Sequence, residues 1–169
     1  MNPSIEHENP FLGRILAESA VAHNEHFRVV YDRDPAASQH LLLYSIRELA
    51  SLADAPDGAL NEFLENELTA SVPNEDFFMI ERGRSRFCSS FGNVVHAHAH
   101  LVPARLLKSE IALPRESTKV STLDAAFEQL KDDGEYLLAG IVGKDFQFTR
   151  NLTFAPKRLA RLIIEENRL

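Results

Sequence analysis

Three histidines, His96, His98 and His100, stand at strict two-residue spacing within the apolar run Val94-Val95-His96-Ala97-His98-Ala99-His100-Leu101-Val102. On a β-strand successive side chains point to opposite faces, so the three imidazoles share one face and Val95, Ala97, Ala99 and Leu101 line the other. Imidazole titrates near neutrality and can act as nucleophile, proton carrier or metal ligand. At the rise of an extended strand, neighbours in the row are about 6.6 Å apart at Cα and the outer pair about 13 Å. Two of them can share one metal ion, but three on a straight strand do so only with strain. Further ligands are also scarce, because the chain has a single cysteine and no His-Glu-x-x-His helix. Attack on phosphorus suits the row better. A neutral ring nitrogen attacks a phosphoryl group, the phosphorus–nitrogen bond is cleaved in a second step, and neighbours stabilise charge and help the leaving group depart. His98, flanked on both sides, is the natural nucleophile.

The composition narrows what such a row can act on. With 169 residues and 44% hydrophobic content the chain suits one globular core with an appended subdomain. Twenty-five acidic residues against 18 basic ones give a net charge of −7, which disfavours a general electrostatic grip on nucleic acid, so an anionic ligand must meet a local positive patch. The lone Cys88 rules out an intrachain disulfide and suits a reducing compartment. No apolar run approaches the roughly 20 residues of a membrane span, and the first residues show no secretory pattern, so the expectation is a cytoplasmic protein with no membrane partner.

The elements that must position the row follow from local pattern. Residues 1–10 read as a polar arm, and Phe11 to Glu18 as a short helix. His26 to Tyr31 reads as a strand that the turn Asp32-Arg33-Asp34-Pro35 ends, and His40 opens a second, antiparallel strand. Between Leu49 and Val72 the apolar spacing is helical, interrupted around Ala55-Pro56-Asp57-Gly58, which gives one short turn and one long amphipathic helix. Asp76 to Glu81 is a third strand, residues 82–92 a loop rich in arginine, serine and glycine, and the histidine strand stops at Pro103. Beyond it, Ser121-Thr122 caps a helix that ends near Gly134. Glu135 to Val142 and Phe146 to Arg150 form a hairpin around Gly143-Lys144-Asp145. Pro156 opens a last amphipathic helix with Leu159, Leu162 and Ile163 as its apolar side.

His96-Ala-His98-Ala-His100-Leu-Val resembles the signature of the histidine triad (HIT) superfamily, in which three histidines alternate with apolar residues. Upstream, Asp32 through Pro35 to His40-Leu-Leu-Leu resembles the family stretch in which an Asp or Asn precedes a Pro and then a His that opens an apolar strand. Phe11-Leu12-Gly13-Arg14-Ile15-Leu16 is similar to the segment that helps form the base pocket, with Ile15 within it. The resemblance covers about residues 11–105 and leaves 106–169 as an extension packed on that domain. It implies an α+β fold, an antiparallel sheet of about five strands with a long helix, assembled as a homodimer, with the extension adding helix, hairpin and helix. The implied activity is hydrolysis or transfer at the α-phosphate of a nucleotide, such as a dinucleoside polyphosphate or nucleoside phosphoramidate, with no cofactor required.

By that resemblance His98 forms a nucleotidyl-histidine intermediate, His96 and His100 hold the phosphate and orient the nucleophile, and His40 is the fourth histidine beside them. Asp32 takes the ribose hydroxyls, which suits a carboxylate accepting from a cis-diol. Asn93 falls where relatives place a small polar residue near the bridging phosphate oxygen. Glu81 departs from the pattern: it matches a position where better-known branches have Gln or Asn donating an amide to phosphate, which an ionised carboxylate cannot do. Arg82, Arg84 and Arg86 recur beside this loop and offer guanidinium groups for distal phosphates, or form a solvated surface. Cys88, Ser89 and Ser90 carry no stronger signal. The competing functions are a nucleotide-binding regulatory protein without turnover and a metal-dependent hydrolase.

Overall fold

The computed structural model describes residues 18–85, 96–114, 116–150, 152, 155–156 and 158–169. The expected N-terminal arm and helix with Ile15, and loop residues Arg86, Cys88, Ser89, Ser90, Asn93, Val94 and Val95, lie outside the described residues.

The fold is α+β. Eight strands form one antiparallel sheet: β1 (Ala22–His23), β2 (Phe27–Tyr31), β3 (Leu41–Ser45), β4 (Phe77–Gly83), β5 (His98–Pro103), β6 (Thr118–Val120), β7 (Tyr136–Ile141) and β8 (Phe146–Arg150), in the order β1-β2-β3-β5-β4-β7-β8-β6. Three helices accompany it. The first, α1, runs over residues 59–71 and contains a π segment at Leu64–Leu68; α2 is Leu123–Leu130 and α3 is Leu159–Glu166. Gly58, with φ +74°, makes the left-handed turn into α1 that a side chain would resist. The Thr122 hydroxyl caps α2 by accepting from the Ala125 amide at 3.1 Å.

The sheet is larger than the five strands expected from sequence. The outer edge of β4, which would close a five-stranded sheet, is paired along its length with β7, from Phe78↔Ile141 to Gly83↔Tyr136. Residues 118–150 therefore lengthen the sheet. β1 and β6, at two and three residues, are too short to leave a periodic signal.

The two parts of the sheet share one connectivity. β3, α1, β4 and β5 follow in sequence with β5 inserted between β3 and β4; β6, α2, β7 and β8 repeat this, with β8 inserted between β6 and β7. The order thus reads the same outward from the β4–β7 pair in either direction.

Directly paired residues of antiparallel strands share a face, so the registers divide the side chains. One face carries Leu41, Leu43, Met79, Glu81, Ala99, Leu101, Leu138 and Tyr136, and packs against α1 and α2 through Leu60, Phe63, Leu64, Leu68, Leu123, Ala126 and Leu130. The other carries Leu42, Tyr44, Phe78, Ile80, His98, His100, Leu137 and Ala139. Part of this second face is covered by α3, whose buried stripe is Leu159, Ala160, Ile163 and Ile164. Leu162, expected on the apolar side, is instead 36% exposed, because the helix turns its 159/160/163/164 stripe to the sheet.

Gly83 lies opposite Tyr136, and a β-carbon there would clash with the wholly buried phenol at 2.1 Å from its Cζ. Gly83→Ala is therefore expected to destabilise the fold by about 1–3 kcal/mol, read as a lower Tm. An unchanged Tm would contradict this packing.

Candidate functional site

β3 and β5 bring the histidines together from distant parts of the chain. The register sets Leu42 beside His100 and Tyr44 beside His98. His40, immediately before β3, lies on the same side as Leu42 and Tyr44. Its Nε2 is 2.9 Å from His100 Nδ1. The His98 and His100 ring centres are 5.7 Å apart, and the Tyr44 ring lies 5.8 Å from that of His98 and 6.4 Å from that of His96. His40, His96 and His100 are buried, whereas His98 is half-buried.

Hydrogen-bond partners assign the protons, since a backbone N–H only donates and a carbonyl only accepts. The Ala36 amide donates to His40 Nδ1 at 2.9 Å, so neutral His40 carries its proton on Nε2. It donates this to His100 Nδ1, and neutral His100 then holds its own proton on Nε2. His98 Nδ1 is 3.0 Å from the His96 carbonyl, which it must donate to, leaving the lone pair on Nε2. His96 Nε2 donates to the Ser45 carbonyl at 2.6 Å. The row therefore pairs a nucleophilic nitrogen on His98 with a proton donor on His100.

Burial supports the neutral forms. Desolvation pulls His40 down from 6.5 to about 4, against the opposing pull of Asp32. Desolvation is also the leading cause that lowers His96 and His98, and takes His100 well below its ordinary value. At neutral pH all four are bases or neutral donors.

Asp32 stands beside this chain, its Oδ2 3.4 Å from His40 Nδ1. The same oxygen accepts from Arg161 Nη1 at 2.8 Å, and Oδ1 accepts from the Asp34 amide at 3.0 Å. Asp32, His40 and His100 each offer a ligand atom, all within 4.8 Å of one another. The bonds already made favour a proton chain over an ion: both His40 nitrogens are engaged, and a guanidinium already balances Asp32.

The remaining expected residues lie elsewhere. Glu81 is paired with Ala99 and so points to the face opposite the histidines, where its carboxyl accepts from the Leu52 amide at 2.7 Å and meets the Tyr136 hydroxyl at 2.8 Å. The structure does not bring it to the site. Arg82 is on the histidine face, but its guanidinium binds Glu135 at 2.6 Å and the Pro156 carbonyl. Arg84 binds Asp54 and the carbonyls of Leu130, Lys131 and Asp133. Ile15 and Asn93 lie outside the described residues. A cavity of about 760 Å³ opens between Ile111, Leu113, Phe78, Ile141 and Gln147, and no histidine lines it.

Sequence reasoning missed Ala36, Ser45 and Arg161. The first two act through backbone atoms, which no residue type announces. Arg161 is one of two arginines spaced by three on the last helix, a weak signal that acquires meaning only once Asp32 and Asp34 are seen opposite it. No protein-family model matches the chain, and no curated protein matches it. Among the described residues no helix is long and apolar enough to cross a membrane.

Glu81 makes stability depend on pH. Desolvation raises its carboxyl from 4.5 to about 7 despite its two hydrogen bonds. The unfolded carboxyl ionises near its ordinary value and the folded one only near neutrality, so folding weakens as pH rises between the two. Glu81→Gln keeps an acceptor for Leu52 and cannot ionise. The variant is expected to gain stability over wild type from pH 5 to pH 8, by up to about 3 kcal/mol in denaturant unfolding. A difference that does not vary with pH would refute this account.

Proposed function

We propose that the chain is a histidine-triad-type nucleotide hydrolase or nucleotidyl transferase. In this reading the β1-β2-β3-β5-β4 part of the sheet with α1 is the triad domain. The lone pair on His98 Nε2 attacks the α-phosphorus, a phosphorus–nitrogen bond forms, and the bond from phosphorus to the leaving oxygen or nitrogen breaks. His100 donates its Nε2 proton towards the phosphoryl oxygens as their charge develops. In the second step water or another acceptor attacks phosphorus, the bond to His98 breaks with its electron pair returning to Nε2, and the nucleotide is released. The acceptor's proton passes to solvent and balances the proton that the first leaving group takes up from solvent. Asp32 accepts from the ribose hydroxyls.

The observation that carries this reading is the opposite protonation of neighbours: a half-buried His98 whose Nδ1 proton goes to the His96 carbonyl, beside a His100 whose Nδ1 accepts from His40. That is what a nucleophile and an adjacent electrostatic donor require. The reading also carries a homodimer. Because β7 fills the outer edge of β4, the sheet edges left for pairing between copies are, among the described residues, β1 and β6. A nucleotide-binding protein without turnover is the alternative; in both readings Asp32, held by the Asp34 amide and Arg161, keeps acceptor sites for ribose.

The test is a panel of adenosine and guanosine phosphoramidates, dinucleoside polyphosphates and nucleotide sugars. Wild type is expected to turn over at least one, with activity surviving complete chelation. His98→Ala should lose at least about 10³-fold in turnover while still binding nucleotide, since the nucleophile itself is removed. A wild-type chain that binds nucleotides but cleaves none would favour the binding protein; loss of activity on chelation would overturn the metal-free mechanism.

A further inference from the structure

The last helix and the residue that precedes it bring two arginines, Arg161 and Arg158, to the histidine side of the sheet. Arg161 Nη1 donates to Asp32 Oδ2 at 2.8 Å; Nη2 donates to the Asp34 carbonyl and lies 3.3 Å from the Asp34 carboxylate. Arg158, one turn earlier, reaches the same Asp34 carboxylate at 3.1 Å. The two contacts differ in their surroundings. Arg161 and Asp32 are 14% and 7% exposed, whereas Arg158 and the Asp34 carboxylate are 60% and 82% exposed. Water and salt weaken the outer pair far more than the inner one.

Asp32 is thus fixed from both ends, by the Asp34 amide on Oδ1 and by Arg161 on Oδ2. Its Oδ2 also faces His40 Nδ1. A carboxylate so placed draws a proton to the nitrogen opposite, and a protonated Nδ1 cannot accept from Ala36. The groups facing His40 are Asp32 and Asp34 from the β2–β3 connection, His100 from β5, and Arg161 from α3, with Arg158 behind Asp34. Of the two arginines, only Arg161 binds the carboxylate that touches His40.

We propose that Arg161 is a positioning residue of the histidine site: by pairing with Asp32 it orients that carboxylate and keeps His40 in the neutral, Nε2-protonated form from which His100 takes its hydrogen bond. The consequence for turnover rests on the nucleotide reading above. The proton arrangement does not, and is measured in the ligand-free chain.

The experiment follows the imidazole of His40 by NMR across pH in the full chain. In wild type His40 is expected to titrate well below the ordinary imidazole value, at about 4. In Arg161→Gln its pKa is expected to climb by roughly one unit, the low end of the effect of a nearby unit charge. The acid limb of kcat/KM is expected to move up with it, and KM for nucleotide to rise on the order of tenfold as Asp32 loses its fixed orientation. Arg158→Gln should leave His40 where it is. Arg161→Lys keeps a charge but cannot span Asp32 and Asp34 together, so His40 should stay low while KM rises; this variant carries the test if Arg161→Gln does not fold. An unmoved His40 in Arg161→Gln, an equal movement in Arg158→Gln, or an unchanged KM in Arg161→Lys would each overturn the proposal. If His40 moves as expected in a chain that neither cleaves nor binds nucleotide, the positioning role stands and the nucleotide reading falls.

Discussion

The amide hydrogen of Ala36 bonds to His40 Nδ1, and the protonation of the site depends on that bond. Because the amide can only donate, it forces the His40 proton onto Nε2, which forces His100 to accept on Nδ1 and to carry its own proton on Nε2. His40 and His100 are buried, and in such surroundings hydrogen bonds polarise one another and an unpaired polar group is costly. The turn before His40 is built to hold the donor in place. Asp34 donates its amide to the Asp32 side chain, Pro35 fixes its own φ, and Gln39 takes a left-handed φ of 55° that brings His40 to the head of β3.

The sheet keeps this chemistry apart from its own stability. His98 and His100 share one face with Tyr44 and Ile80; Glu81 is on the other with the large apolar cluster. A one-residue change of register between β4 and β5 would bring them to one face, setting a carboxyl beside the imidazoles. The burial that lifts the Glu81 carboxyl towards neutrality and the burial that depresses the histidines are one physical effect acting on groups of opposite charge type. It leaves each of them closer to its uncharged form.

Much of this was legible in residue patterns, and the rest was hidden for reasons that can be named. Apolar, β-branched and aromatic runs between turn residues predict β2, β3, β4 and the later hairpin, and the Ala55–Gly58 interruption separates a 3-10 turn at Leu52–Asp54 from α1, because residue preference and turn chemistry are local properties. Two-residue spacing placed His98 and His100 on one face. What pairs with the outer edge of β4 was not legible, because strand pairing across more than 50 residues leaves no trace in either segment alone. The fate of Glu81 was hidden for a related reason: sequence fixes which neighbours share its face, but the Leu52 amide and Tyr136 hydroxyl that receive it come from elsewhere. Arg82 was expected to meet phosphate and instead ties Glu135 to the chain before α3.

The two sheet parts share a connectivity but present different side chains on the histidine face. On the face where β5 presents His98 and His100, β8 presents Gln147 and Thr149. These two are used on the chain that crosses them: Gln147 donates to the Ile111 carbonyl and Thr149 to the Glu116 carbonyl. The second part therefore supplies support. Its strand β7 offers Leu137 and Ala139 as an apolar seat beside Phe78 and Ile80, and α3 sits on it through Ile163 and Ile164. A seated helix points its polar side chains in fixed directions, and on α3 Arg161 is aimed at Asp32. Deepening that seat stabilises the fold and orients the arginine at once. Loosening it, for instance by truncating Ile163, acts at a distance from the histidines of β5 yet loosens the hold on the carboxylate beside His40.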